Sequence, residues 1–430
     1  MDIKELYLKY KSASGVSTDT RNLKQGNIYF ALKGPSFNAN EFAAKAIDLG
    51  AAYVVIDEKE FLPADDDRYI LVDDALTALQ DLAKHHRSQL DIPILGITGS
   101  NGKTTTKELI NVVISQKYVT YATKGNLNNH IGVPLTLLAI TKDVEFGIIE
   151  MGANKVGDIA ELSEIAQPTH GLITNIGKAH LEGFGGFEGV LRTKSELYDF
   201  LIKNKGKIFV NSQNPTLANM IKRMEEPFLY PQEQDDYHCE FVDADPFVGF
   251  RIGYGAVQTT KMIGSYNFEN IAAALAVGKF FDVPEHMAVE AVCNYAPANM
   301  RSQLVEKRSN LIILDAYNAN PTSMEGAIKT FGKMTGRKHK MVILGDMYEL
   351  GEYSEAEHEK LGEWVSQYPI DKVCFTGTMV AAALKKAPNA LYFPDPFSLR
   401  NWLQDSKFED YLILIKGSRG MKLEGLVDFI

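Results

Sequence analysis

Cysteine is scarce in this chain: Cys239, Cys293 and Cys374 are the only three among 430 residues. An odd number so widely separated argues against a disulfide framework and a cysteine-built metal site, and leads us to expect free thiols in a reducing cytoplasm. Long apolar runs are missing too. No segment approaches the roughly 20 uninterrupted apolar residues that a membrane helix needs, so membrane insertion is not expected. The opening MDIKELYLKYKS lacks the apolar centre of a signal peptide, which points away from secretion. Nor is there a surplus of positive charge. The formal net charge is −10, whereas a protein tracking a nucleic-acid backbone needs a basic surface. That balance still admits small anionic ligands held by a few local donors. Low-complexity segments, internal repeats and long charge runs are absent as well.

What is present is ordinary for a globular protein: 45% hydrophobic and 23% charged residues. The length exceeds what one core accommodates, so several domains are expected. Three stretches separate. The first, 1–90, alternates short strand-like runs (28–32, 53–56, 69–72) with helical stretches (39–49, 74–90) and ends at Asp91-Ile92-Pro93. The second, 91–297, repeats strand then helix, with strand candidates at 94–98, 147–149, 171–175 and 207–210. Such short, continuous apolar runs suit a parallel sheet covered on both faces. Ala296-Pro297-Ala298 reads as the second junction. In the third, 298–430, runs at 311–314, 341–344, 373–375, 390–393 and 412–415 are each followed by a helical stretch, the pattern of a small Rossmann-like domain. The expected fold class is α/β, as three α/β domains in a row.

The strongest motif is Gly96-Ile97-Thr98-Gly99-Ser100-Asn101-Gly102-Lys103-Thr104, with Thr105 next. An apolar strand enters it and a helix starting near Thr104 leaves it. Glycines let backbone amides turn toward a phosphate, the helix N-terminus adds positive potential, and Lys103 reaches the outer phosphates. The Thr104 hydroxyl is placed to bind magnesium. Ile97 stands where the usual phosphate loop has its first glycine. No Asn-Lys-x-Asp base-reading motif of switch GTPases occurs. Gly183-Phe184-Gly185-Gly186-Phe187-Glu188-Gly189 puts Glu188 where a dinucleotide loop needs its third glycine. The reading is an ATP site.

Glu150 ends an apolar run, where a carboxylate beside a phosphate loop can hold magnesium, and His180 lies beyond the next strand. Taken alone, Glu150 also reads as a strand-end surface acid, His180 as a loop histidine, and Lys194 as a solvated lysine paired with Glu196.

Together these residues resemble the Mur ligase family along essentially the whole chain. The resemblance runs through the variant phosphate loop, Gly125-Asn126-Leu127-Asn128-Asn129 with Gly132-Val133-Pro134, Glu150-Met151-Gly152, and Asn175-Ile176-Gly177 leading to His180-Leu181-Glu182. It continues at Gly264-Ser265-Tyr266-Asn267-Phe268-Glu269-Asn270, Arg301 and Asp315-Ala316-Tyr317-Asn318-Ala319-Asn320-Pro321. That last run, with Leu344-Gly345-Asp346-Met347 and Lys416-Gly417-Ser418-Arg419-Gly420, looks like the branch adding D-alanyl-D-alanine to a UDP-N-acetylmuramoyl-tripeptide. The Asp-Asn-Pro-Arg motif of the diaminopimelate-adding branch is absent. Thr18-Asp19-Thr20-Arg21 and Phe30-Ala31-Leu32-Lys33-Gly34 resemble the family's uridine-nucleotide domain, although Asn38-Ala39-Asn40 stands where Asp-Gly-His is common.

The resemblance implies a UDP-sugar-binding domain (1–90), a central ATP-binding domain (91–297) and a C-terminal ligase domain (298–430) in a monomer. ATP phosphorylates the tripeptide carboxylate, and the dipeptide amine attacks the acyl phosphate. Lys103, Glu150, His180 and a carbamylated Lys194 are implied as catalytic, the last three with Thr104 around Mg2+. Carbamylation needs a neutral amine, so Lys194 is expected partly buried, lining the cleft near His180. Besides Thr98 to Thr105, ATP is expected to meet Asn267 and Asn270 at adenine, and Arg301 and Asp315 at the γ-phosphate and ribose. Asp315 also reads as a strand-end cap and Arg301 as a linker ion pair. Substrate contacts are expected at Thr18, Asp19, Thr20, Arg21, Lys33, Asn38, Asn126, Asn128 and Asn129. Asn318, Asn320, Lys416, Ser418 and Arg419 are expected on the dipeptide side, with surface solvation the other reading for Arg419. The rivals are a folylpolyglutamate synthase, a diaminopimelate- or lysine-adding ligase and a non-catalytic ATP-binding relative.

Overall fold

The computed structural model describes residues 2–430. Its first sheet has four parallel strands, in the order Gly15–Ser17, Asn27–Phe30, Tyr53–Ile56, Tyr69–Leu71. Asn27–Phe30 is buried throughout, as a strand covered on both faces must be. The helix Ala75–Arg87 follows, N-capped by the Asp74 carboxylate accepting from the Thr77 amide. The helical stretch expected at 39–49 is a 3-10 turn, Ala39–Phe42, running into Ala43–Asp48. A helix at Ile3–Ser12 was not expected; it buries only Leu6, too little periodicity to announce itself.

The helix Ala75–Arg87 also fastens this unit to the next. Arg87, 7% exposed, donates to the carbonyls of Ala166 (3.1 Å), Gln167 (3.1 Å) and Leu90 (2.8 Å). Beside it the Tyr10 hydroxyl donates to the Leu138 carbonyl at 2.7 Å.

The second sheet has six parallel strands, with Ile94–Thr98 central between His170–Ile173 and Phe146–Glu150. The carboxyl ends of all three strands therefore share one edge, where ligands bind in open α/β sheets. Sequence patterning missed a three-stranded antiparallel sheet, Cys239–Ala244, Phe247–Ile252 and Gln258–Ile263. Its first strand exposes four consecutive residues, Glu240 to Asp243, so the alternation that marks a half-buried strand is lost.

The third sheet, also of six strands, holds the five expected runs in parallel. The sixth, Gln303–Lys307, pairs antiparallel with Asn310–Asp315 through a hairpin at Arg308-Ser309 and was not expected. Two crossovers differ from expectation: Lys372–Thr376 is followed by the 3-10 segment Met379–Lys385, and Tyr411–Lys416 by two 3-10 turns. Among the described residues no helix is long and apolar enough to cross a membrane, and Cys239, Cys293 and Cys374 are free.

Candidate active site

The apolar strand Ile94–Thr98 delivers the chain to Gly99, and the helix Lys103–Ile114 carries it away. Two glycines make the turn possible. Gly99 (φ +144) would place a Cβ 2.0 Å from the Thr174 hydroxyl, and Gly102 (φ +80) one 2.5 Å from Asn270 Oδ1. Side chains then lock the loop. The Asn101 amide donates to Asn175 Oδ1 (2.9 Å), Ser100 Oγ to the Gly177 carbonyl (3.1 Å), and Thr98 Oγ1 to the Met151 carbonyl (2.8 Å). Among the described residues, the Lys103, Thr104 and Thr105 amides have no protein acceptor, so they stand as donors at a helix N-terminus.

This loop floors a cavity of about 1050 Å³. Central-domain strand ends supply Glu150 and Asn175, and the short helix Leu181–Phe184 is capped by His180 in the left-handed region (φ +52). The third sheet's domain supplies Arg301, Asp315, Tyr317, Asn318, Asn320 and Lys416. Several polar ties join these walls, the Lys178 amide donating to Thr322 Oγ1 (3.1 Å) and the Tyr266 hydroxyl meeting Ser302 Oγ (2.7 Å) among them. Asn320 Nδ2 donates to Asn101 Oδ1 (2.7 Å), Lys178 Nζ meets Glu357 Oε1 (2.9 Å), and His180 Nδ1 meets Glu349 Oε2.

Glu150 is 1% exposed, which excludes the surface-acid reading. Its Oε1 accepts from Thr104 Oγ1 (3.2 Å) and Asn128 Nδ2 (2.9 Å), while the buried Oε2 has no protein partner. A buried carboxylate oxygen without a donor is costly unless something else binds it. No group of three or more His, Cys, Asp or Glu ligands gathers among the described residues.

Lys103 Nζ donates to the Gly99 (2.7 Å) and Ser100 (3.2 Å) carbonyls. Desolvation pulls its ammonium down to about 8, with Glu150 pulling up and Arg301 further down. Lys194 is 2% exposed, its Nζ 5.5 Å from the Phe184 ring centroid. Burial, reinforced by the Lys103 charge, holds it well below the usual lysine range despite Asp158 and Glu196. The surface-lysine reading fails: Glu196 instead accepts from the Gly157 and Ala160 amides, each at 2.9 Å. The expectation that Lys194 lines the cavity also needs correction. It lies behind the lining, on the buried stripe of the helix Phe187–Lys203 with Val190, Leu197 and Leu201.

The other expected residues divide. Asn126, Asn128 and Asn129 line the cavity, but Asn128 is engaged with Glu150, and Asn129 Oδ1 accepts from the Ile131 and Gly132 amides. Asn267 and Asn270 line it too. Asn270 bonds Thr106 Oγ1 (2.9 Å) and Asn267 Oδ1 (2.8 Å), so each asparagine keeps only part of its capacity for a ligand. Arg301 stacks 3.9 Å from the Tyr317 ring centroid, its buried Nε unpartnered. Asp315 accepts from Lys416 Nζ (2.5 Å) and the Ser302 amide (3.2 Å), placing Lys416 beside Asp315. Ser418 is 3% exposed and its Oγ accepts from the Tyr348 amide at 2.9 Å; Arg419 pairs with Glu424 at 2.8 Å. Neither lines the cavity.

Thr18, Asp19, Thr20, Arg21, Lys33 and Asn38 lie apart from it, on the first sheet's unit. There Lys33 meets Asp57 (3.2 Å), Asn38 Nδ2 donates to Glu58 (2.8 Å), and Asp19 pairs with Arg21 (2.7 Å). Sequence reasoning missed Asn175, Tyr317 and Glu349 as cavity or seam residues. For Asn175 a signal existed, since it sits just past a strand end beside the loop; Glu349 carries none.

Known proteins are similar to this chain along nearly its whole length. The family model Mur ligase middle domain matches 97–278, Mur ligase, glutamate ligase domain matches 300–419, and Mur ligase family, catalytic domain matches 12–87. The UDP-N-acetylmuramoyl-tripeptide–D-alanyl-D-alanine ligase of Bacillus subtilis is 36% identical, covering 96% of this chain and 92% of its own. Among solved structures, MurF from Acinetobacter baumannii superposes with a TM-score of 0.87 at 30% identity, over 99% of this chain and 97% of that one. MurF ligase from Thermotoga maritima, in complex with ADP, gives 0.84 at 27% identity, over 98% and 97%. Matched from its first sheet to its last, and with a phosphate loop facing the walls of two domains, the chain belongs to the Mur ligase family.

Proposed function

We propose that this protein is an ATP-dependent ligase that joins D-alanyl-D-alanine to UDP-N-acetylmuramoyl-tripeptide, giving the UDP-muramoyl-pentapeptide precursor of peptidoglycan. One observation carries the reading: the phosphate loop, the half-free Glu150 carboxylate and the cations Lys103, Arg301 and Lys416 converge on one cavity. The chemistry needs that convergence. A carboxylate must approach the γ-phosphate, both are anionic, and fixed donors must offset the repulsion and follow the charge as it moves. Lys103 and the amides of 103–105 suit the β and γ oxygens, and Arg301 and Asp315 meet the nucleotide from the opposite wall. Attack by the dipeptide amine on the acyl phosphate forms the amide, releasing phosphate and a proton. Meeting of the two walls excludes water that would hydrolyse the acyl phosphate.

Glu150 Oε2 and the Thr104 hydroxyl fit a magnesium ion, with His180 on the same wall; bound there with phosphate oxygens, magnesium would supply charge neutralisation. The buried, pKa-depressed Lys194 fits carbamylation, because only the neutral amine reacts with CO2. The Lys33, Asn38, Asp57 and Glu58 network is where the uridine end belongs, with Thr18 to Arg21 beside it. Domain limits near 90 and 297, a monomeric state and a cytoplasmic location complete the proposal, the last consistent with three free cysteines. The test is phosphate release from ATP with UDP-muramoyl-tripeptide, with and without D-alanyl-D-alanine. Turnover that ignores the dipeptide, or that requires folate and glutamate instead, refutes the reading.

A further inference from the structure

Lys107 presents a problem that the reaction so far does not answer. It lies on the helix Lys103–Ile114, is 1% exposed, and a lysine is almost never so buried without a partner that needs it. Its ammonium donates to the Thr123 carbonyl at 2.6 Å and pairs with Glu108 at 2.8 Å. Thr123 follows the edge strand Thr120–Ala122, which runs parallel to Phe146–Glu150 with Ala122 opposite Ile148. The ladder continues through the Thr123 amide to the Ile148 carbonyl (2.9 Å), and then the chain departs. The next amide on the inner strand is that of Glu150, and it donates to the Thr123 hydroxyl at 2.9 Å. Thr123, also 1% exposed, therefore replaces the missing strand carbonyl.

These contacts close a triangle. The helix that offers the Thr104 hydroxyl to Glu150 Oε1 also grips, one turn on, the residue holding the Glu150 backbone. We propose that Thr123 and Lys107 are positioning residues, fixing the end of strand Phe146–Glu150 so that Glu150 Oε2 faces the metal and phosphate position. Neither touches substrate. The inference rests on the proposed ligase reading and concerns how its metal ligand is aimed.

The test uses the full chain with ADP and Mn2+ as a spectroscopic probe, titrated by electron paramagnetic resonance. Supports of a metal ligand contribute about 10–100-fold in metal affinity. Thr123→Val should weaken Mn2+ binding to the ADP complex about tenfold, whereas Thr123→Ser, which keeps the hydroxyl, should stay within about twofold of the unmodified protein. Lys107→Met should fall in the same direction. ADP binding in EDTA should be unchanged in all three. Unchanged Mn2+ affinity in Thr123→Val overturns the proposal, and so does a parallel loss of metal-free ADP binding, which marks a general structural role. Failure of the ligase reading would show separately, as absence of dipeptide-dependent phosphate release in the unmodified protein.

Discussion

Asn320 Nδ2 donates to Asn101 Oδ1 at 2.7 Å, so the residue that caps one domain's helix also grips the phosphate loop of another. Its Oδ1 meanwhile accepts from the Ser323 amide (2.9 Å) as half of a capping box on the helix Pro321–Lys333.

The two roles separate by mutation. Asn320→Asp retains the capping oxygen but cannot donate to Asn101, so KM for ATP should rise about fivefold, the worth of one hydrogen bond of about 1 kcal/mol, with little change in thermal stability. Asn320→Ala should raise KM similarly and also lose about 1 kcal/mol from the missing cap. Steady-state kinetics and melting of both variants check this.

Lys103 gives the site a pH dependence. Its pKa is depressed to about 8 in the folded chain, against about 10.4 for an exposed lysine. The folded state therefore carries the full cost of the buried charge below about pH 8, and that cost is relieved as pH rises through the interval above it. Nucleotide binding runs the other way: ADP affinity should fall above pH 8, approaching tenfold per unit for one linked proton. Lys103→Met should abolish the inflection and lower turnover at neutral pH by at least about 100-fold. Calorimetric ADP titrations between pH 7 and 9.5 read the first effect, and phosphate release at pH 7 reads the second.

Lys194 should exchange carbon dioxide. Protein equilibrated with 13C-bicarbonate should show a protein-bound 13C carbamate resonance that disappears on acidification and is absent from Lys194→Met. Activity of the unmodified protein should decline in CO2-depleted buffer and return on adding bicarbonate. An unlabelled Lys194 in fully active protein would refute the modification.

Arg87 tests the seam between the first two sheets. Arg87→Met removes donors to three carbonyls, two of them across that seam. Leaving such acceptors buried and unpaired should lower stability by about 2–4 kcal/mol. Urea unfolding should show an earlier first transition.

The phosphate loop and most parallel strands were legible because both are local: an apolar run and a glycine turn have the same meaning in any context. Gly15–Ser17, Thr120–Ala122 and Phe228–Tyr230, three residues each, are too short to show such a run. Lys194 was legible in principle, since it interrupts the stripe Val190, Leu197, Leu201 at helical spacing, but the ordinary exposure of lysine outweighed that pattern. The antiparallel strands beyond Cys239 were not legible, because the first leaves four residues in solvent. Asn128 illustrates a different limit. Its place near the site followed from resemblance, yet its attachment to Glu150 depends on where a loop meets a strand end, which no spacing encodes. Ser418 and Arg419 mark the converse: motif residues whose side chains are occupied with Tyr348 and Glu424.

The cross-ties Asn101–Asn320, Lys178–Glu357 and His180–Glu349 are polar, and such contacts are each of modest net worth against water. Solvent can take over their groups one at a time. The same fastening that gathers the reactants can thus be undone stepwise to let ADP and a longer peptide escape, and added salt, by screening the Lys178–Glu357 pair, should hasten departure while weakening capture.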